Sequence, residues 1–312
     1  MAGNIIGRKS YLTLVSEATW GTFNVSPVYL HLPVNQFGVK FTPETRTATP
    51  YTGVLQRKHN TVVRGHVGGQ IACDLYGWIP TGTDSLLKIL MNWCFANLET
   101  TADASYSALW AEGPDLSNRK YLGLRVDSAT LAGSEQSQAW SLNINVKGKD
   151  DVTLSTAQSI PTNRNKLAEA LFTDSTFQIA GSTVTLSSFQ METSRKLMVK
   201  FNNANRPSLI VAVGPVETKV TMVPQKTDDT YDIMRRVVGM SEFTGQAIIK
   251  ANHNGTGTGG TTYSTCTIDF PRLSFQNMEE QDVDSLMYQG LTMLALKPDT
   301  SSNSITLTHG EV

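Results

Sequence analysis

Apolar and polar residues alternate along most of this chain, and a period of two predicts strands. The clearest case is WSLNINVKG at 140–148, with Leu142, Ile144 and Val146 on one face and Ser141, Asn143 and Asn145 on the other. The longer VVRGHVGGQIACDLYGW at 62–78 places Val63, Val67, Ile71, Cys73 and Leu75 on recurrent faces, and its Gly68–Gly69 pair predicts a bulge or sharp bend. Further strands are expected at 196–203, 209–224, 245–254, 262–275 and 289–298. Ser, Thr and Asn fill the polar positions, so the sheets are expected to be antiparallel with solvent or a partner on one side.

Helical periodicity is scarce. TGTDSLLKILMNWCF at 81–95 carries an apolar stripe of Leu86, Leu87, Leu90, Trp93 and Cys94 behind a capping Thr83. TDDTYDIMRRVVG at 227–239 has Thr227 or Asp228 to cap it, Tyr231, Met234, Val237 and Val238 facing inward, and Gly239 to stop it. NKLAEALF at 165–172 is a third, short candidate after Pro161.

The two main helices stand in matching contexts, each after a long strand (62–78 and 209–224) and before further strands. Segments 126–148, 184–203 and 270–297 share a layout in which an alternating strand reaches a polar turn and returns as an apolar strand. The order of long strand, short helix and hairpin predicts a divergent duplication, with domains at 1–158 and 159–312; chance similarity among hairpins is the competing reading. The fold class expected is mainly β, two antiparallel sandwich or barrel domains each with a short flanking α-helix.

Composition then removes several functions. The 312 residues are 17% charged with a formal net charge of -1, so the chain as a whole has no strong pull toward nucleic acid or an anionic membrane. Cys73, Cys94 and Cys266 are odd in number and far apart, which gives neither a disulfide framework nor a zinc pattern, and reduced thiols are expected. MAGNIIGRKS lacks the apolar segment of a signal peptide, and nowhere do 18 consecutive apolar residues occur. A soluble protein made in a cytoplasm is the expectation.

The search for chemistry returns little. His31, His59, His66, His253 and His309 have no neighbour at zinc-site spacing. The glycine-rich HNGTGTGGTTYS at 253–264 lacks the Gly-Lys-Ser/Thr ending of a phosphate loop and reads as a hairpin tip. The acidic MEEQDVD at 278–284 lacks calcium-loop spacing and reads as a charged hairpin turn. No catalytic residue, metal ligand or cofactor site is assigned, and no enzymatic activity is expected.

The informative stretch is FTPETRTATPYTGVLQRKHNTVVRG at 41–65, which carries Arg46, Arg57, Lys58 and Arg64 against the single carboxylate of Glu44. A loop this long inside a domain usually binds something. It is either a surface hairpin or an arm that orders on a neighbouring subunit, with Glu279, Glu280 and Asp282 as its acidic counterpart.

Several motifs together resemble the major tail tube proteins of tailed bacteriophages. They are E-x-x-W-G-T at Glu17, Trp20, Gly21 and Thr22, then FGVKFTPETRTATP, then R-G-x-V-G-G-Q at 64–70, then a strand and the helix beginning TGTDSLLKIL. The likeness is best over the first 150 residues, and the second half resembles a further copy. What the resemblance implies is a structural virion protein. Its subunits join edge to edge so that their sheets form a continuous barrel around a lumen, and rings stack into a tube that conducts the phage genome. Single-domain members form hexameric rings. A duplicated chain is then expected to form trimeric rings, and a chain whose second half is an outer decoration hexameric ones. Tail terminator, baseplate and tape measure proteins are the implied partners, and double-stranded DNA passes without specific binding. Trp20 and Gly21 suit an inter-subunit pocket, or else Trp20 covers the end of its own sandwich. The rival readings are another phage tail or capsid assembly or decoration protein, and a β-sandwich binding module or hydrolase.

Overall fold

A computed structural model describes residues 11–23, 30–48, 59–77, 85–96, 105–111, 118–154, 169–224, 233, 237, 239–252, 263–283, 286–297 and 304–311. The protein is mainly β. In the first half the strands are β1 (Tyr11–Ser16), β2 (Leu30–Leu32), β3 (Gln36–Phe37), β4 (Lys40–Ala48), β5 (His59–Asp74), β6 (Tyr106–Ala111), β7 (Asn118–Ser134), β8 (Ser141–Gly148) and β9 (Asp150–Leu154), with helix α1 (Leu86–Phe95) between β5 and β6. In the second half they are β10 (Thr176–Ile179), β11 (Ser182–Val184), β12 (Leu186–Ser194), β13 (Leu197–Lys200), β14 (Leu209–Ala212), β15 (Glu217–Pro224), β16 (Phe243–Asn252), β17 (Tyr263–Val283), β18 (Leu286–Ala295) and β19 (Thr306–Glu311).

Seventeen of these strands join into one antiparallel sheet that curls into a half-barrel, and β13 and β14 form a separate ribbon. Two long strands do most of the joining. β7 lies between β6 and β9 over its first residues and between β8 and β12 over its last ones. β17 lies between β16 and β19 at its start and against β18 at its end. An extended strand that changes partners halfway must bend, and each of the two carries a bulge near that point: Asp127 is the extra residue against β8, and Gln276 the extra residue against β18.

The remaining pairings run in the same order on either side of the middle of the chain. β1 pairs with β2 and β6, and β10 with β11 and β16. β5 pairs with β4 and β8, and β15 with β12 and β18. The halves are nonetheless continuous. β12 pairs with β7 from Ser188↔Ser134 to Ser194↔Ser128, so eight strands run side by side in the order β4-β5-β8-β7-β12-β15-β18-β17. One core spans both halves as well. The Trp140 ring is fully buried 5.4 Å from Phe172 and 5.5 Å from Phe189, and its indole N–H donates to Ser175 Oγ at 2.9 Å.

Alternation explains β8 directly: Leu142, Ile144, Val146 are buried and the residues between them are not. α1 begins later than the sequence predicts. Its cap is Ser85 rather than Thr83, with the Ser85 hydroxyl accepting from the Lys88 amide at 3.2 Å, and Leu86, Leu87, Leu90, Met91, Trp93, Cys94 and Phe95 are buried. The helix packs on β7, β17 and β19, and Asn92 Oδ1 lies 3.0 Å from His309 Nε2. The predicted helix at 227–239 falls mostly outside the described residues; Ile233 and Val237 within it are helical.

Several expectations need correction. Residues 169–171 of the third predicted helix form isolated bridges, to Tyr76, Ala251 and Ala139, and Phe172–Asp174 is a single 3-10 turn, because these residues close the seam between strands. The 209–224 stretch breaks at Gly214, whose φ is +102°, into β14 and β15. Segment 184–203 is no hairpin: β12 pairs with β7 and β15, while β13 pairs with β14. The bulge expected at Gly68–Gly69 lies at Val63 instead, opposite Glu44/Thr45. Gly69 serves a close approach: a Cβ there would sit 2.2 Å from the Gly38 carbonyl oxygen.

Candidate assembly surface

Residues 41–48 and 59–65 of the arm form a ribbon. β4 pairs with β5 out to Ala48↔His59, which places Arg46 in a strand opposite Thr61; Arg57 and Lys58 lie outside the described residues. Residues 278–283 of the acidic 278–284 run are likewise strand, and Asp284 lies outside the described residues. Glu279, Glu280 and Asp282 pair with Gly290, Gln289 and Met287 along the end of the β17–β18 hairpin. The strands that carry Arg46 and Glu279–Asp282, β4 and β17, stand at opposite ends of the eight-strand order. Among the described residues, β4 has β5 as its only ladder partner, and Met278–Val283 of β17 have β18 alone. Over those described residues each end therefore presents backbone N–H and C=O groups with no ladder partner on one side, the template on which another strand adds.

The seam inside the chain shows how two such edges meet. Along β7 and β12, Met191 stands opposite Leu131, both buried, while Glu192 faces Thr130. The bulged Asp127 closes the seam: its carbonyl accepts from the Arg195 amide at 2.8 Å, its carboxylate accepts from the Leu197 amide at 2.6 Å, and Lys147 lies 3.1 Å from its second oxygen. Beyond it the β13–β14 ribbon is held on the first half. Arg125 donates to the Ile210 carbonyl at 2.6 Å and Lys147 to the Leu197 carbonyl at 2.7 Å. The loop at its tip reaches farther, with the Arg206 guanidinium 4.2 Å over the Phe41 ring and paired to Asp150.

The accessible face of the sheet is polar in continuous rows. One row reads Asn143, Thr130, Glu192, Lys219 across β8, β7, β12 and β15 without interruption at the seam. His66 lies in β5 near this surface; burial holds its pKa below the usual histidine value, Glu44 opposes that shift and Lys147 adds to it.

Trp20 and Gly21 form a clasp within the subunit. Glu17 is its hub and was not singled out for this role from sequence. Its carboxylate accepts from the Gly21 and Gly123 amides, both at 2.8 Å, and from the Ser105 and Ser107 hydroxyls. The Trp20 indole N–H donates to the Gly123 carbonyl at 3.0 Å, and the charges of Lys149 and Arg125 lie 5.2 and 5.7 Å from its ring. The spacing of Glu17 to Gly21 fits one turn, which is the signal by which a sequence reader finds the carboxylate–amide contact. Its long-range partners at Ser105, Ser107 and Gly123 leave no such signal.

Among the described residues no group of three or more His, Cys, Asp or Glu is arranged to hold a metal ion. All three cysteines are free and buried, and burial pushes the Cys94 and Cys266 thiols up to about 12. Among the described residues no helix is long and apolar enough to cross a membrane.

A search of curated proteins gives no match to the chain. A family model described as phage tail tube protein matches residues 7–271, which spans α1, the β7–β12 seam and the first part of β17. Tail tube proteins are structural components of the virion tail, in keeping with a molecule whose distinctive features are open sheet edges rather than a reactive cleft. With the match covering most of its length and the mainly β half-barrel beside it, this chain belongs to the phage tail tube protein family.

Proposed function

We propose that this protein self-assembles into rings that stack into the tail tube, the channel for genome delivery. In this reading residues 1–158 and 159–312 are tandem copies of one tube domain. The paired order of strands supports it: β1, β2, β4, β5, β6, β7, β8, β9 correspond in pairing to β10, β11, β12, β15, β16, β17, β18, β19. Each copy contributes four strands to one curved layer. The observation that carries the proposal is the β7–β12 seam, where strands of the two halves pair edge to edge.

Three chains then close a ring with six domain positions. A second half that decorated the outside would not continue the inner sheet, so hexameric rings are the weaker alternative. The polar rows line the lumen. Along the row just described Asn143 and Thr130 carry no charge and Glu192 stands beside Lys219, so the cation that passing DNA meets there has an anion next to it rather than further cations of the kind that bind phosphate tightly. The ribbon of β4 and β5, with Arg46 on β4, lies on the neighbouring chain as the β13–β14 ribbon lies on the first half. Trp20 and Gly21 stiffen the subunit at the clasp and offer the partly exposed indole to the next ring. Terminator, baseplate and tape measure proteins meet the tube at its ends and lumen.

Negative-stain microscopy of the purified protein tests this. Rings or tubes with a stain-filled lumen are expected; isolated particles at every concentration would contradict the proposal.

A further inference from the structure

The internal seam also fixes the register of the seam between subunits, an inference that rests on the ring reading above. β7 and β17 align on the bulge each carries, which makes Ser128 equivalent to Asn277 and Thr130 to Glu279. The same alignment makes Val146 of β8 equivalent to Met293 of β18. Their partners follow: Gly69 corresponds to Val220, and Gly68 to Lys219. Lys40 pairs with Gly68 and Glu192 with Lys219, so Lys40 is the counterpart of Glu192. The adjacent β3 gives an independent check. Phe37 pairs with Ile71 and Phe189 with Met222, which again sets the two edge strands in the same register.

Glu192 stands opposite Thr130 in the internal seam. We infer that in the ring, Lys40 of one chain stands directly opposite Glu279 of a second copy, with Thr42 opposite Asn277 and Phe41 opposite Met278. The partner is thus the same chain, entering edge to edge and antiparallel. Where the internal seam has a Thr and a Glu, the external one has a Lys and a Glu, an oppositely charged cross-strand pair. Lys40 is exposed and has no ion pair among the described residues, so the position is open to receive it. The charge difference has a use. Antiparallel edges slip by two residues without changing which face is buried. Within the chain, covalent connection prevents such a slip. Between chains, a slip by two sets Lys40 against Asn277 or Gln281 and forfeits the attraction. The basic partner that the acidic strand end meets in register is therefore Lys40, while the β4–β5 ribbon extends past it.

Paired cysteines test the register in assembled material. Directly opposite residues in an antiparallel pair have Cα atoms about 4.5–5.5 Å apart, within disulfide range. The double variant Lys40→Cys/Glu279→Cys is expected to form, on oxidation of assembled tubes, a ladder of covalent species ending at the number of chains in one ring. Lys40→Cys/Gln281→Cys, displaced by two residues, is expected to cross-link at least tenfold less. Charge reversal is the second measurement: Lys40→Glu lowers tube yield and Lys40→Glu/Glu279→Lys restores it. Tubes that form normally but cross-link best through Gln281, or a double reversal that fails to rescue, overturn the register and leave the tube function intact. A protein that forms neither rings nor tubes overturns both.

Discussion

The Trp20 indole N–H donates to the Gly123 carbonyl at 3.0 Å, while the Gly123 amide donates to Glu17, three residues before that indole. The turn at Glu17–Gly21 and the bend of β7 are thus tied by two bonds running in opposite directions. Gly123 has φ +69°, and a Cβ there would sit 2.8 Å from Trp20 Nε1. Gly123→Ala is expected to destabilise the subunit by about 1–3 kcal/mol through backbone strain and the displaced indole. Chemical denaturation of the monomer, measured as a shift in midpoint, checks this.

Glu17→Ala removes the common acceptor of two backbone amides and two serine hydroxyls. Partly buried donors left without acceptors cost about 2–3 kcal/mol together. Trp20→Ala separates the two roles given to the indole. A loss of monomer stability with normal ring stacking assigns Trp20 to its own subunit, and failed stacking with a stable monomer assigns it to the interface.

Trp140 joins the halves through Phe172, Phe177 and Phe189. Trp140→Ala is expected to cost about 3–5 kcal/mol. Because core and sheet run through both halves, the unmodified chain should unfold in one transition, with fluorescence and circular dichroism coincident. Trp140→Ala should separate it into two.

His66 gives a pH dependence of definite sign. Burial lowers its folded-state pKa below the ordinary 6.5, so the unfolded chain binds more protons between the folded value and 6.5. Stability therefore falls as pH drops through about 6.5 and levels off below the folded-state value. His66→Asn should flatten that part of the profile, read as the difference in unfolding midpoint between the two proteins across the window.

The thiols of Cys73, Cys94 and Cys266 are all raised by burial. A thiol reagent at pH 8 should label none of them in the native protein and all three in denaturant. Labelling in native protein should proceed only at the rate of unfolding.

How much of this was legible in the sequence follows from the range of the forces involved. β8 and α1 were readable because alternation and an apolar stripe are local; burial in β8 follows the alternation residue by residue, and in α1 it covers the whole expected stripe together with Met91 and Phe95. The family was readable from the clasp motif and the glycine pattern that follows it. The misread elements are those whose form depends on distant partners. Residues 41–48 and 278–283 look irregular because a charged edge strand carries no apolar alternation, yet each pairs along one side. The 184–203 stretch looks like a hairpin, but β12 is claimed by β7 some sixty residues earlier. Lys40 had no distinguishing mark at all. Its significance comes only from a register set by seven other strands.

In the proposed ring each chain supplies two positions of one continuous sheet. Cryo-electron microscopy of purified tubes, resolved to the strand level, counts the chains and traces the sheet between them. Three chains per ring around an open lumen are expected, with β4 of each chain paired to β17 of the next in the manner of β12 on β7. A ring of six chains with the second halves outside the barrel, or one whose inner sheet is broken between subunits, would contradict it.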